Sequence, residues 1–104
     1  MALVTGAARG IGMGIALRLA DDGLDVAVND IEANGDELDG VGEVIRGKGR
    51  HTAAITADVS EPDEVQSMVR RVADELGQLD VMVANAGIAQ VIPLPYSHST
   101  TGIA

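Results

Sequence analysis

The sequence contains no cysteine, no tryptophan and no phenylalanine, and Tyr96 is its only aromatic residue. The absence of cysteine excludes disulfides, a thiolate nucleophile and cysteine-ligated metal sites. The absence of clustered aromatic side chains excludes the stacking surface that proteins use to bind single-stranded nucleic acids. Two histidines, His51 and His98, are too few and too separate to indicate a metal site. The core is therefore expected to consist of Val, Leu, Ile, Ala and Met.

Positive charge is scarce as well. Seven Lys and Arg residues stand against 16 Asp and Glu residues, which gives a formal net charge of −9. Binding to nucleic acid or to an anionic membrane needs a clustered positive face, so neither is an expected partner. No apolar run approaches the length of a membrane span. Strand-like residues follow Met1 directly and leave no room for a signal peptide, so we expect a cytoplasmic protein.

Strand-like and helix-like segments alternate along the chain. Apolar runs with short turn signals predict strands at 2–5, 25–30, 51–58 and 79–85. Apolar residues at helical spacing predict one helix between the first glycine-rich turn and Gly23, and others over 33–48 and 60–76. This β-α-β-α-β-α-β order predicts an α/β fold, a doubly wound parallel sheet of about four strands with helices on both faces.

Several details of this pattern can be tested against a structure. Val44 is expected on the apolar stripe of the second helix, and Ser60 is expected to cap the third helix. After Gly87 the periodicity is lost, which divides the chain into a half-domain at 1–94 and an irregular tail at 95–104. The fourth strand is apolar on both faces and would be central in a complete sheet, so in a truncated fold it would form an exposed edge, and we expect self-association through it.

A glycine-rich turn joins the first strand to the first helix. Gly6, Gly10 and Gly12 lie in the segment VTGAARGIG, at residues 4–12. Glycines here permit left-handed backbone, and a helix that starts directly after such a turn presents free N–H groups to a phosphate. A sharp turn with no ligand would use the same residues, so the turn alone does not decide the function.

Polar residues also end the other three predicted strands. Asp30 ends the second strand, 18 residues after Gly12; Asp58 and Val59 end the third, and Asn85, Ala86 and Gly87 end the fourth. Ligands of open parallel sheets bind across the carboxyl ends of the strands, where all four groups are expected to meet. The combination predicts a dinucleotide site.

At these residues the sequence resembles the N-terminal half of the short-chain dehydrogenase/reductase family, nearest to members that resemble acetoin and butanediol dehydrogenases. The resemblance covers about residues 2–89 and implies a partial Rossmann fold whose C-terminal half is missing. It implies that the turn surrounds the pyrophosphate and adjoining ribose, that Asp30 binds the adenosine ribose, that Asp58 and Val59 contact adenine, and that the segment 85–87 flanks a ribose. The turn residues implied are Gly6, Arg9, Gly10, Ile11 and Gly12. Asp58 could instead be a helix-flanking acid, and Asn85 could be purely structural.

The choice of cofactor depends on two residues that act in opposite directions. A carboxylate at Asp30 accepts hydrogen bonds from a free 2′-hydroxyl and repels a 2′-phosphate, which favours NAD. Arg9 could offer a 2′-phosphate a charge-assisted hydrogen bond, which favours NADP. We expect the acid on the rigid strand end to prevail, with NAD as the cofactor and NADP less favoured.

The resemblance also implies chemistry that this sequence does not contain. Members of the family transfer hydride between a nicotinamide cofactor and an alcohol or carbonyl compound, with a Ser, Tyr and Lys centre that includes a Tyr-x-x-x-Lys motif. Here Thr100 follows Tyr96 by four residues, and the only lysine is Lys48. We therefore predict no catalytic residue and no activity in this chain alone, and hypothesise that residues 95–104 arise from a premature stop, a frameshift or a misjoined exon. A non-catalytic nucleotide-binding or regulatory module is the alternative.

Overall fold

The computed structural model describes residues 1–85 and, for the backbone alone, residues 91–96. Along the described chain, strands and helices alternate as far as the fourth strand, and a fifth strand follows. The elements are β1 (Ala2–Val4), α1 (Gly10–Asp21), β2 (Val26–Asp30), α2 (Gly35–Gly47), β3 (Ala54–Thr56), α3 (Pro62–Leu76), β4 (Leu79–Val83) and β5 (Val91–Tyr96). A short 3₁₀ turn at Glu32–Asn34 leads into α2.

The sheet has the strand order β3-β2-β1-β4-β5, and its first four strands are parallel. The parallel α/β architecture predicted from the sequence is therefore confirmed. The chain moves outward from β1 to β2 and β3 and then returns to place β4 on the other side of β1. A parallel sheet has its topological switch point at such a reversal, and the carboxyl ends of β1 and β4 border it.

Alternating side chains of the strands build one apolar core on each face of the sheet. Leu3 and Ala27 face α3, where they meet Val69 and Val72. Val4 and Val28 point the other way, into a core that α1 and α2 cover. Because helices cover both faces, the strands are apolar at nearly every position. This packing fixes the carboxyl edge of the sheet, where the loops of the candidate site begin.

The helices confirm the local predictions for Gly23 and Gly77 and correct those for Ser60 and Val44. Gly23 and Gly77 adopt φ of 96° and 91° just beyond α1 and α3, as expected of glycines that end helices. Ser60 does not cap α3: the N-cap is Glu61, which forms no side-chain cap bond, and Ser60 lies in a turn in which its N–H and its hydroxyl both donate to Asp58. Val44 is 48% exposed, so it lies outside the apolar stripe that buries Leu38 and Ile45.

The prediction of an irregular chain after Gly87 is wrong for residues 91–96, which form β5 antiparallel to β4. The predicted boundary at residue 94 falls inside this strand, and residues 97–104 lie outside the described part of the chain. Pro93 is paired with Val81, whose N–H points to the Met1 carbonyl of the neighbouring β1 segment. The 81–93 pair therefore exchanges no hydrogen bonds, and the nitrogen of Pro93 faces away from β4.

Pairing between β4 and β5 removes the structural basis of the self-association prediction. β4 lies between β1 and β5, so it is not the exposed edge expected from the sequence. The outer edge of β5 lacks a donor at Pro93, and the register shift near Asp80 places Pro95 in a bulge. Both proline positions are ones that sheet edges tolerate, and both oppose further strand addition.

None of the helices within residues 1–85 has the combined length and apolar character that crossing a bilayer requires.

Two glycines of the α2 region should respond to alanine in opposite directions. Gly40 lies inside α2, and a Cβ built there meets nothing within 4 Å, so Gly40→Ala should raise the free energy of unfolding by about 1 kcal/mol. Gly49 has φ of 81°, so Gly49→Ala should lower it by about 1 kcal/mol. Urea denaturation of both variants measures this, and equal effects would contradict the backbone described for this region.

Candidate functional site

The turn between β1 and α1 presents the start of a helix to solvent. Gly6 and Gly10 adopt φ of 63° and 62°, a backbone conformation that other residues rarely adopt. Arg9 occupies the N-cap in extended conformation without a side-chain cap, and the first turn of α1 contains no acidic residue. Free N–H groups and the positive end of the helix dipole therefore face outward, which is the arrangement that binds phosphate.

Gly12 fixes how α1 approaches the sheet. A Cβ at this position would lie 2.1 Å from the Gly6 carbonyl oxygen and 2.6 Å from Nδ2 of Asn85. At Gly10, by contrast, a Cβ meets nothing within 4 Å, so the space in front of the helix start is open. Gly12 thus serves helix–strand packing, whereas Gly10 and the exposed Ile11 border open space.

Asn85 connects the end of β4 to the turn. Its backbone N–H donates to the Thr5 hydroxyl at 2.9 Å, and that buried hydroxyl donates to the Val83 carbonyl at 3.3 Å. Its side-chain amide approaches the Gly6 carbonyl at 3.4 Å. These contacts support the structural role that was one of the two alternatives for Asn85. The other predicted residues of this segment, Ala86 and Gly87, lie outside the described residues.

Asp30 lies at the end of β2 with its carboxylate directed to the turn. Oδ2 accepts a hydrogen bond from the Ala8 N–H at 3.1 Å, and Oδ1 accepts from the Ile31 N–H at 2.8 Å and from Nδ2 of Asn34 at 3.0 Å. Burial by itself would raise the pKa of this carboxyl. The hydrogen bonds and the nearby Arg9 charge outweigh burial and hold the pKa below its ordinary value of 3.8. Asp30 is therefore a fixed negative charge at neutral pH.

Arg9 projects from the turn toward the start of α2. Its Nη2 donates to Oδ1 of Asn34 at 2.5 Å, and its Nε lies 3.6 Å from a carboxylate oxygen of Glu37. The side chain is 67% exposed, so the ion pair with Glu37 is weak. The structure places Arg9 near Asp30, where it is hydrogen-bonded to Asn34.

Asp58 and Val59 follow β3 and differ in role. The Asp58 carboxylate accepts from the Ser60 hydroxyl at 2.6 Å and from the Ser60 N–H at 2.9 Å, and these two bonds lower the pKa of Asp58. Asp58 also borders a groove of about 450 Å³ that reaches Ile31 and Ala33 after β2. Val59 packs against the core on the α3 face. Asp58 thus borders this groove, while Val59 has at least a packing role.

The sequence did not reveal three groups that shape the site. Asn34 bridges Arg9 and Asp30, and buried Asn29 donates to the Ile55 carbonyl at 2.9 Å, which ties β2 to β3. Ile31 is 48% exposed and lines the groove beside Asp58. The spacing of Asn34 four residues after Asp30, in a polar loop at the carboxyl edge, is a signal that could have drawn attention to it.

The two residues that most resemble parts of a catalytic centre lie at the opposite edge of the sheet. Lys48 pairs with Asp21 at 2.6 Å, at the C-terminal end of α1. Tyr96 is opposite Leu79, where β4 begins, so the backbone of Tyr96 is at the amino edge. Within residues 1–85 and 91–96, no group of three or more His, Cys, Asp or Glu residues could hold a metal ion.

The sequence model of the short chain dehydrogenases matches residues 1–101. The chain belongs to this family. A short-chain dehydrogenase/reductase of Armillaria gallica is 55% identical over 89 residues, which cover 86% of this chain and 34% of that protein. The 3-oxoacyl-acyl-carrier-protein reductase FabG of Staphylococcus aureus is 48% identical over 89 residues, 86% of this chain and 36% of that protein.

Solved structures of the short-chain dehydrogenase family share the fold. A short chain dehydrogenase from Burkholderia cenocepacia, in complex with NADP, superimposes with a TM-score of 0.79 at 47% identity over 84% of this chain and 35% of that one. A blue fluorescent protein from a metagenomic library, in complex with NADPH, has a TM-score of 0.80 at 40% identity, over 84% of this chain and 36% of that one. This chain thus spans about a third of the length of these relatives.

These relatives support the short-chain dehydrogenase family predicted from the sequence, but not its finer assignment. The Armillaria protein is named only for the family, and the Staphylococcus protein is a 3-oxoacyl-acyl-carrier-protein reductase. The resemblance to an acetoin and butanediol dehydrogenase branch has no support in these names.

Alanine at two glycines of α1 tests the close helix–strand approach. Gly12→Ala should lower the free energy of unfolding by at least about 2 kcal/mol, because the new methyl would overlap the Gly6 carbonyl. Gly14→Ala is the matched control: a Cβ there meets nothing within 4 Å, so it should stabilise by about 1 kcal/mol. Thermal denaturation of both variants is the measurement, and a stable Gly12→Ala protein would show that the contact is looser than described.

The lowered pKa of Asp30 predicts how its contribution to stability depends on pH. A carboxyl whose folded pKa lies below its unfolded value stabilises the fold above the unfolded pKa, near 3.8, and this contribution is lost as pH falls through the folded value. The stability difference between the natural protein and Asp30→Asn should be present at pH 7 and shrink below about pH 4. Denaturation at several pH values measures it, with Asp39→Asn on α2 as a control for the lost charge. A stability difference that increased as the pH fell would contradict a lowered pKa for Asp30.

Proposed function

We propose that this chain is the dinucleotide-binding portion of an oxidoreductase that transfers hydride between a nicotinamide cofactor and a small alcohol or carbonyl compound. The observation that supports it most is the joint position of two groups at the carboxyl edge. The uncapped start of α1 can receive a pyrophosphate, and the Asp30 carboxylate, joined to the same turn through the Ala8 N–H at 3.1 Å, can receive a ribose diol.

The residues present fit the adenosine half of such a cofactor. The space before Gly10 is open, and the groove between Ile31 and Asp58 offers apolar and polar walls to a base. In this proposal the first amides of α1 bind the pyrophosphate, and Asp30 accepts the ribose hydroxyls. When bound, the nicotinamide ring supplies or accepts the hydride. The chain's own residues hold and orient the adenosine end.

NAD is the proposed cofactor because of charge. Asp30 is a fixed anion that would repel a 2′-phosphate, and Arg9 is hydrogen-bonded to Asn34 and close to Glu37. The relatives from Burkholderia and from the metagenomic library are in complex with NADP and NADPH, which supports the opposite preference. Arg9 is the group through which this chain would accommodate the phosphate.

We further propose that the chain alone does not turn over substrate. The positions of Tyr96 and Lys48 at the amino edge support this, because neither is near the proposed binding groove. The same observation favours a second candidate function, a non-catalytic nucleotide-binding or regulatory module. Measurable oxidation or reduction of any alcohol or carbonyl by this chain would contradict both proposals. The cytoplasmic location and the half-domain at 1–94 remain predictions.

Calorimetric titration with NAD⁺ and NADH tests the binding proposal. Saturable binding is expected, and Asp30→Ala should weaken it by about tenfold or more because a charged hydrogen-bond acceptor of the ribose is removed. Asp39→Ala, which removes an acid from the exposed face of α2, should bind as the natural protein does. Absence of binding of either nucleotide by the folded natural chain would refute the proposal.

A further inference from the structure

The side chain of Asn34 connects Arg9 and Asp30, the two charged groups that favour NADP and NAD respectively. Its Oδ1 accepts from Nη2 of Arg9 at 2.5 Å, and its Nδ2 donates to Oδ1 of Asp30 at 3.0 Å. This orientation follows from chemistry, since a guanidinium only donates and a carboxylate only accepts. Rotating the amide by 180° would oppose both charges.

Asn34 forms this bridge but does not cap a helix, although its position is one where asparagine commonly does so. It occupies the N-cap of α2, where an asparagine side chain usually accepts from an N–H of the first turn at a gain of about 1 kcal/mol. No side-chain cap bond is formed here. The amide is directed instead to Arg9 and Asp30, which belong to two other segments of the site.

The bridge keeps Arg9 occupied and Asp30 oriented. Arg9 is held by Asn34 and attracted by Glu37, 3.6 Å away, so its charge is partly balanced. Asp30 retains its orientation through Asn34 and through the N–H groups of Ala8 and Ile31. In this arrangement the Asp30 carboxylate is held in a fixed orientation and Arg9 is held by its own partners. Binding of a ribose that carries a phosphate is therefore disfavoured.

We propose that Asn34 is a positioning residue that sets the preference of this site for a ribose with a free 2′-hydroxyl over one with a 2′-phosphate. The proposal rests on the proposed function, because it concerns the same dinucleotide site. Asn34 acts through Arg9 and Asp30 and needs no contact with the cofactor itself.

Two substitutions at Asn34 should shift the preference in opposite directions. Asn34→Ala removes one hydrogen-bond partner of Arg9, which can then pair with a 2′-phosphate or with Asp30, and either pairing favours the phosphorylated ligand. Asn34→Asp keeps an acceptor for Arg9 and adds a negative charge beside Asp30, which disfavours it. The shift on Asn34→Ala, which changes no charge, is not expected of a residue whose role is only to stabilise the fold.

The experiment is calorimetric titration of the full chain with ADP-ribose and with 2′-phospho-ADP-ribose, which carry the adenosine, the pyrophosphate and the second ribose of the cofactor but not its nicotinamide. The readout is the ratio of the two dissociation constants. Relative to the natural protein, Asn34→Ala should move this ratio about threefold to tenfold toward the phosphorylated ligand, and Asn34→Asp should move it away by a similar factor.

A second pair of variants serves if Asn34→Ala fails to fold. Glu37→Gln removes the other partner of Arg9 and should also move the ratio toward the phosphorylated ligand. Glu43→Gln is the matched control on the same helix: it removes a carboxylate that pairs with Arg46 at 2.8 Å, and it should leave the ratio unchanged. Far-UV circular dichroism confirms that each variant is folded.

Failure of this proposal can be distinguished from failure of the proposed function. If the natural chain binds neither ligand, the proposed function fails and the role of Asn34 fails with it. If the natural chain binds and folded Asn34→Ala keeps the same ratio, or folded Asn34→Asp shifts it toward the phosphorylated ligand, only the role of Asn34 is overturned.

Discussion

The contact between Gly12 and the Gly6 carbonyl is the constraint on which the rest of the site depends. It brings the first turn of α1 against the end of β1 so closely that no side chain fits at residue 12. Asn85 reaches the same carbonyl from β4, and the Ala8 N–H reaches Asp30 at the end of β2. The helix start is thereby held at a fixed height over three neighbouring strands, and its free amides are directed to one region of space.

Charge is distributed around this contact in a way that the overall composition does not reveal. The chain carries a net charge of −9, yet the first turn of α1 has no acidic residue. The acid that does approach the turn, Asp30, is held by three donors, which keep it ionised despite partial burial. An anionic ligand therefore meets the positive end of a helix at one position and a fixed carboxylate at the next. The proposed dinucleotide matches this charge pattern, since its phosphates would lie at the helix start and a neutral diol beside Asp30.

Sequence patterns predicted those features of the fold that depend on interactions between residues close in the chain. The apolar strands and the glycines at 23 and 77 were found because burial and left-handed backbone leave clear signals. Ser60 was assigned wrongly because the turn formed by Asp58 competes for its hydroxyl, and spacing alone does not decide that competition. The spacing of Asn34 after Asp30 is a local signal, but the contact of Asn34 with Arg9 could not be predicted, since Arg9 lies 25 residues earlier in the chain.

The direction of β5 shows why strand pairing matters more here than strand propensity. Two prolines in six residues argue against a strand when that segment is considered alone, but an edge position and a bulge accommodate them. Because β5 runs antiparallel, Val91 lies beside the end of β4 and Tyr96 beside its start. A parallel strand in this place would end at the carboxyl edge, next to the proposed groove. The antiparallel strand instead carries the only aromatic residue of the chain away from it, so the same pairing that covers β4 also separates Tyr96 from the site.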